Sequence, residues 1–304
     1  MHVFIRAKDV KPVPEYVGHS KGYRRFKALP DGTAVHTDIG ICELDADGHV
    51  DMRVQSYEET FYVTEGSPIL ITEGRAVRLV PGACGVILTG VPHAWKGSGE
   101  GTSKWIENLT PRPRAIDSVA GPDTFFVGST PDLPVEELDI RDPRSRHLFR
   151  MRDEDIDLDK LKAGSRVNAP TVSASMATAV LAYSGIAVKM LVDGRMGASQ
   201  STMFMVDYQP GAVAHPHDHP LEEAYMMLSG DVEFIADGVK YEATAGDIMW
   251  AGVGCVHAFY ERKGQKVRWL ETASPAPPQQ HSYRFSRDWD YLAETLSAGA
   301  PVPA

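Results

Sequence analysis

The sequence predicts an all-β protein whose strand-rich part is built twice. Short apolar or alternating segments follow one another, each closed by glycine: ETFYVTEGS, PILITEG and AVRLVPG, then EEAYMMLSG, DVEFIADG and VKYEATAG. Strands and turns at such close spacing are the mark of sandwiches and barrels. The segments fall into two blocks, roughly Thr33 to Leu109 and Gly197 to Glu271. The blocks also share one register. Glu59, Gly66, Gly74, Gly82, Gly90 and His93 recur as Glu223, Gly230, Gly238, Gly246, Gly254 and His257, every pair 164 residues apart. A gap-free match of this length, mostly at glycines that punctuate turns, indicates a duplicated domain.

Composition narrows the function. The 304 residues suit two domains of ordinary size, and 43% hydrophobic with 24% charged residues is a globular balance. A formal charge of −10 argues against a nucleic-acid partner, which would need a basic face. No apolar run approaches the roughly 20 residues that span a bilayer. The start MHVFIRAKDVKPVPEY has neither an apolar core nor a small-residue cleavage site, so a cytoplasmic protein is expected. Cys42, Cys84 and Cys255 are widely spaced and odd in number, which does not make a disulfide framework.

Taken in order, residues 1–110 read as the first barrel and 111–184 as a linker with strands or turns packing on the barrels. TPRPR, GSTPDLP and the charged RDEDIDLDKLKAG lie in that linker. Residues 185–273 read as the second barrel, and 274–304 as a proline-rich spacer and a C-terminal helix. Trp289, Leu292, Ala293 and Leu296 stand at i, i+3, i+4 and i+7, with Ser286 as a possible cap and Gly299 as a stop.

The second block carries the chemistry. GAVAHPHDHPLEEAYMMLSG, residues 211–230, places His215, His217 and His219 on alternate positions ahead of Glu222 and Glu223. Alternate residues of a strand share a face, so His217 and His219 point the same way, and a turn at Pro220-Leu221 returns Glu223 to it. His257 lies on a later strand that can close over the same spot. Imidazole and carboxylate together suit a divalent transition metal. Asp218 and Glu222 have the opposite parity and are expected in solvent. Cys255 reads as a small core residue or a pocket liner, and Tyr225, Met227 and Phe259 as an apolar wall. Glu261 and Glu271 cannot be oriented from sequence.

These residues resemble the cupin superfamily. Its first motif, G-x5-H-x-H-x3-E-x6-G, is met by Gly211, His217, His219, Glu223 and Gly230. Its second, G-x5-P-x-G-x2-H-x3-N, is met by Gly246, Gly254 and His257, with Gly252 for the proline and Glu261 for the asparagine. The resemblance implies two tandem cupin jelly-roll barrels. It also implies that His217, His219, Glu223 and His257 bind one divalent metal, manganese or iron ahead of nickel, copper or zinc. The alternative is a metal-free barrel with satisfied polar groups. His215 and Tyr225 are candidate catalytic residues, His215 with a rival reading as a rim histidine.

The first block departs from the pattern, with Arg53 and Gln55 at the histidine positions beside Glu59 and His93. Arginine stays protonated, cannot ligate a metal and repels one, while pairing well with Glu59. A degenerate site is expected there, with binding of a small anion or second substrate as the rival. The resemblance thus implies a metal-dependent bicupin enzyme acting on a small oxygenated organic molecule. Dioxygenase-type oxidoreductase chemistry comes first. Hydrolase, decarboxylase/lyase or isomerase chemistry in a ureidoglycine aminohydrolase-like layout comes second, and a non-catalytic binding or storage protein third. A small-molecule substrate is expected, with no nucleic acid or membrane partner, and a homo-oligomer is possible.

Overall fold

A computed structural model describes residues 1–114, 122–157, 171–175, 178–181, 185–276 and 284–285. These are almost wholly strand and turn, and helical turns among them are short 3-10 segments such as Pro143–Ser145. The expected helix over 286–299 lies outside the described residues. Among the described residues no helix is long and apolar enough to cross a membrane.

The chain forms two compact units, each with one barrel. The first comprises Val10–Met151 and Val192–Ser201, the second Met1–Asp9, Arg152–Leu191 and Thr202–Ala304. The division by position placed residues 1–9 in the first barrel. Instead His2–Ile5 pairs antiparallel with Ile248–Ala251, and Phe4 stacks on Tyr241 with ring centroids 4.5 Å apart. An edge strand takes whichever sheet offers a free ladder and an apolar face, and local sequence does not say which. Linker strands Thr124–Gly128, Val135–Glu137 and Leu148–Arg150 all pair within the first unit.

The first barrel is organised on the 18-residue strand Asp38–Gln55. Its first half pairs with Ser103–Thr110 and its end with His93–Lys96. In the second barrel the equivalent stretch is cut into Thr202–Tyr208 and Val213–Asp218. Pro210 stands at the cut, where the first barrel has Ala46, and proline cannot donate to a ladder. Gly211 follows at φ 79°, and Ala212 N–H closes the turn on the Gln209 carbonyl at 2.9 Å. The result is an eight-stranded and a five-stranded sheet with a shared core, Tyr208, Tyr225 and Trp269 from one and Phe234 and Phe259 from the other.

The 164-residue repeat survives in three dimensions. Arg53 pairs with His93 as His217 pairs with His257, and Glu59 faces Ile87 as Glu223 faces Ala251. Trp95 stacks on Trp105 at 4.6 Å, and their counterparts Phe259 and Trp269 stack at 5.0 Å. Gly82 and Gly246 adopt φ of 88° and 89°, and their N–H groups bond the carbonyls of Val63 and Met227, again 164 apart, both at 2.9 Å. Only glycine takes that backbone without cost.

Candidate metal centre

The strands Val213–Asp218, Glu222–Ser229 and His257–Tyr260 bring four side chains to one point inside the second barrel. One nitrogen each of His217, His219 and His257 lies within 4.8 Å of the others. Glu223 Oε2 is 3.1 Å from His219 Nε2 and 3.4 Å from His257 Nε2. All four residues are buried.

Backbone carbonyls orient two of the rings. His217 Nδ1 donates to the His215 carbonyl at 2.5 Å, and His257 Nδ1 donates to the Cys255 carbonyl at 3.0 Å. A carbonyl only accepts, so each ring carries its proton on Nδ1 and keeps the Nε2 lone pair. Burial and the nearby His257 push His217 down to about 3, so its ring is neutral. Burial alone would raise Glu223, but His219 and His257 hold it well below the usual carboxylate range. Neutral imidazoles and an ionised carboxylate are the protonation states that a divalent cation requires. The donor set fits such an ion.

Tyr225 enters the same point. Its hydroxyl donates to Glu223 Oε2 at 2.6 Å and lies 3.0 Å from His257 Nε2. His215 is placed otherwise. Val213–Asp218 bulges between Ala214 and His217, and the imidazole of His215 meets Tyr260 edge-on at 6.2 Å. Its carbonyl, not its ring, is what orients His217. Glu222 was expected in solvent from strand parity but is 3% exposed, opposite Ser274 in the ladder. Alternation tells which face a side chain takes, not whether that face is covered. Cys255 is buried in the core cluster, as are Tyr225, Met227 and Phe259.

Glu271 is the residue that sequence reasoning left unplaced. It is buried and accepts from Trp269 Nε1 at 2.9 Å. Burial and the neighbouring Glu223 charge push its carboxyl well up. The repeat held the signal, since Trp105 and Glu107 stand 164 positions earlier. Glu261 has a different task, accepting the N–H groups of Gly211 and Lys263, both at 2.6 Å, and so tying two loops together.

Comparison with known proteins bears on the fold. Residues 204–273 match the family model of the cupin domain. No curated protein sequence matches the chain. Among solved structures, a salicylate 1,2-dioxygenase from Pseudaminobacter salicylatoxidans is similar with a TM-score of 0.64 and 12% identity, covering 95% of this chain and 86% of that one. The oxalate decarboxylase of Lactobacillus farciminis, solved with formate, has a TM-score of 0.60 and 14% identity, covering 97% and 92%. A glyoxylate-induced protein of Pseudomonas aeruginosa has 0.59 and 16%, covering 92% and 90%. The chain shares the two-barrel fold of these structures, and residues 204–273 match the cupin domain.

The first barrel holds an ion pair at the equivalent point. Arg53 Nη2 donates to Glu59 Oε2 at 3.0 Å, and Trp95 Nε1 donates to Glu59 Oε1 at 3.2 Å. His93 Nε2 is 3.5 Å from Glu59 Oε2. Gln55, with its amide oriented to satisfy both, donates to Glu59 Oε2 at 3.3 Å and accepts from Arg53 Nε at 3.0 Å. Burial would raise Glu59, but Arg53, His93 and Trp95 hold it down at about 2. Burial and the Arg53 charge push His93 down. The guanidinium therefore fills, in charge and in place, the position that the second barrel leaves to three imidazoles and a carboxylate.

Proposed function

We propose that this bicupin is a metal-dependent enzyme acting on a small oxygenated organic molecule, with dioxygenase-type oxidoreductase chemistry. His217, His219, Glu223 and His257 hold one divalent transition metal, manganese or iron. The observation that carries the reading is the convergence of those four donors, with two rings oriented from behind by carbonyls. The metal, when bound, supplies Lewis acidity toward substrate oxygens and a place for dioxygen, since four protein donors leave positions open on a six-coordinate ion.

The protein's own groups do the rest. Tyr225 holds its phenolic proton against Glu223 and keeps the carboxylate in one orientation. Phe259, Phe234 and Met227 line the same core and exclude bulk water, which strengthens every polar contact at the point of reaction. A decarboxylase or lyase reading stands second, favoured by the likeness to oxalate decarboxylase over nearly the whole of both chains.

Native protein should be assayed for metal content, and for oxygen uptake and carbon dioxide release over phenols including salicylate, diketones, hydroxy acids and oxalate. Metal-dependent oxygen uptake is the expected result. Carbon dioxide release without oxygen consumption would move the assignment to the second reading. Metal-loaded protein that turns over none of the panel would overturn the enzymatic reading in favour of binding.

A further inference from the structure

The second barrel carries another cluster of metal-type donors, made of residues other than the four above. His2, Asp237 and Cys255 offer an imidazole nitrogen, a carboxylate oxygen and a sulfur, all within 4.8 Å of one another. We propose that these three residues form a second divalent-metal site, of the zinc class, where the N-terminal strand and the 237–238 turn meet the buried Cys255.

Three separate elements deliver the donors. His2 comes from the strand paired with Ile248–Ala251, opposite Ala251. Asp237 sits with Gly238 in the two-residue turn between Asp231–Ala236 and Val239–Thr244, at φ 47°. Positive φ at both residues is the ordinary conformation of an Asp-Gly hairpin turn, and Glu73-Gly74 adopts it in the first barrel. Asp237 N–H is pinned to the Val256 carbonyl at 2.8 Å, which fixes the turn against the segment that carries Cys255. The Cys255 N–H in turn bonds the Gly252 carbonyl at 2.9 Å.

The imidazole has a partner on each nitrogen. His2 Nε2 lies 2.9 Å from the Tyr241 hydroxyl and Nδ1 lies 3.3 Å from Asp237 Oδ2. In the metal-free protein Nδ1–H donates to the carboxylate and the Tyr241 hydroxyl donates to Nε2; a bound cation would take the other tautomer, with Nε2–H donated to the Tyr241 oxygen and the Nδ1 lone pair given to the ion. Zinc with nitrogen and oxygen at about 2.0–2.1 Å and sulfur at about 2.3 Å sets donor atoms roughly 3.5 Å apart, close to the observed nitrogen–oxygen spacing. Sulfur, nitrogen and oxygen donors together select zinc or cobalt over calcium or magnesium. Three protein donors leave a position for water. Asp237 Oδ2 also meets the Met1 amino group at 2.8 Å, which an incoming cation would displace from that oxygen.

The repeat shows that the barrel does not need this thiol. The first barrel folds the same loop with Val91 at the place of Cys255, and the same turn with Glu73 at the place of Asp237. On metal binding the sulfur–metal bond replaces the S–H bond and the proton leaves to solvent. The four-donor centre contains no sulfur, so the two sites are separable by spectroscopy.

Full-length protein without an affinity tag is stripped with chelator, kept reduced and titrated with Co2+. The expected result is a near-ultraviolet thiolate-to-cobalt charge-transfer band that saturates at one cobalt per chain. It should be absent in Cys255→Ser and need at least tenfold more cobalt in His2→Ala and in Asp237→Asn. No band at saturating cobalt, in protein whose far-ultraviolet circular dichroism is unchanged, overturns the site. A band unchanged in Cys255→Ser assigns the sulfur to Cys42 or Cys84 and also overturns it. If Cys255→Ser does not fold, the two variants at the partly exposed His2 and Asp237 decide, and full binding in both defeats the proposal.

Discussion

Arg53 and His217 occupy one place in two barrels of the same design, and the side chain chosen there decides whether that point can hold a cation. In the second barrel, His219→Ala removes a donor without emptying the core, which is held by strand burial. We expect metal retention to fall at least tenfold and activity to vanish, with the thermal unfolding of apo protein shifted by only a few degrees. Elemental analysis beside calorimetry checks this, and full metal content in the variant would remove His219 from the centre. In the first barrel, Arg53→Met strands a buried carboxylate and Glu59→Gln strands a buried guanidinium. Breaking one side of such a pair costs about 3–5 kcal/mol, whereas removing both can be close to neutral. A double-mutant cycle should therefore show the double variant far more stable than the two single losses summed, and additive losses would deny the pair. Glu59 also sets an acid limit. Its folded value of about 2 lies below the ordinary 4.5, so its contribution is complete above about pH 4.5 and is lost as pH falls toward 2. That shift corresponds to about 3 kcal/mol. Denaturation measured from pH 6 to pH 2 should lose this much more stability in the native protein than in Glu59→Gln, and parallel curves would contradict it.

At the scale of elements, the turns and the bulge carry the design. Gly246 takes φ of 89°, and a Cβ built there would lie 2.8 Å from the Cβ of Ala7. Gly246→Ala should cost about 1–2 kcal/mol for the left-handed backbone, with more for the crowding of the N-terminal segment. Urea denaturation measures this, and a change below a few tenths of a kcal/mol would mean that the turn relaxes freely. The bulge between Ala214 and His217 does a different job. It takes His215 out of the alternation and leaves its carbonyl as the acceptor for His217 Nδ1. The aromatic stacks Trp95–Trp105 and Phe259–Trp269 then close each core beneath its four-residue cluster.

For the whole molecule, the duplication predicts asymmetric metal chemistry on a symmetric plan. With respect to the four-residue centres, the chain should bind one ion and not two. A metal-anomalous signal should appear beside His217, with none beside Arg53. Chelation should destabilise the protein, because an ion that binds only the folded state contributes RT ln(1 + [L]/Kd), about 4 kcal/mol at a thousandfold excess over Kd. An unchanged unfolding temperature after metal removal would count against a tightly held ion.

Much of this was legible in residue spacing. The 164-residue repeat, the glycines at its turns and the run His217, His219, Glu223 are local patterns, and strand alternation is a local geometric rule, so sequence determined the duplicated β-fold and the residues that converge. The loss of histidines at Arg53 and Gln55 was readable for the same reason, because charge and ligand chemistry belong to the side chain itself. Tertiary structure alone decided the rest. Which sheet takes His2–Ile5 depends on a free edge elsewhere in the chain. The burial of Glu222 depends on what covers the outer face of its strand. The place of Glu271 beside Glu223 depends on a pairing between residues 46 positions apart, Tyr225 against Glu271. The meeting of His2, Asp237 and Cys255 joins residues more than 200 positions apart. Contacts of that kind are set by the closure of the barrel, which no local period encodes.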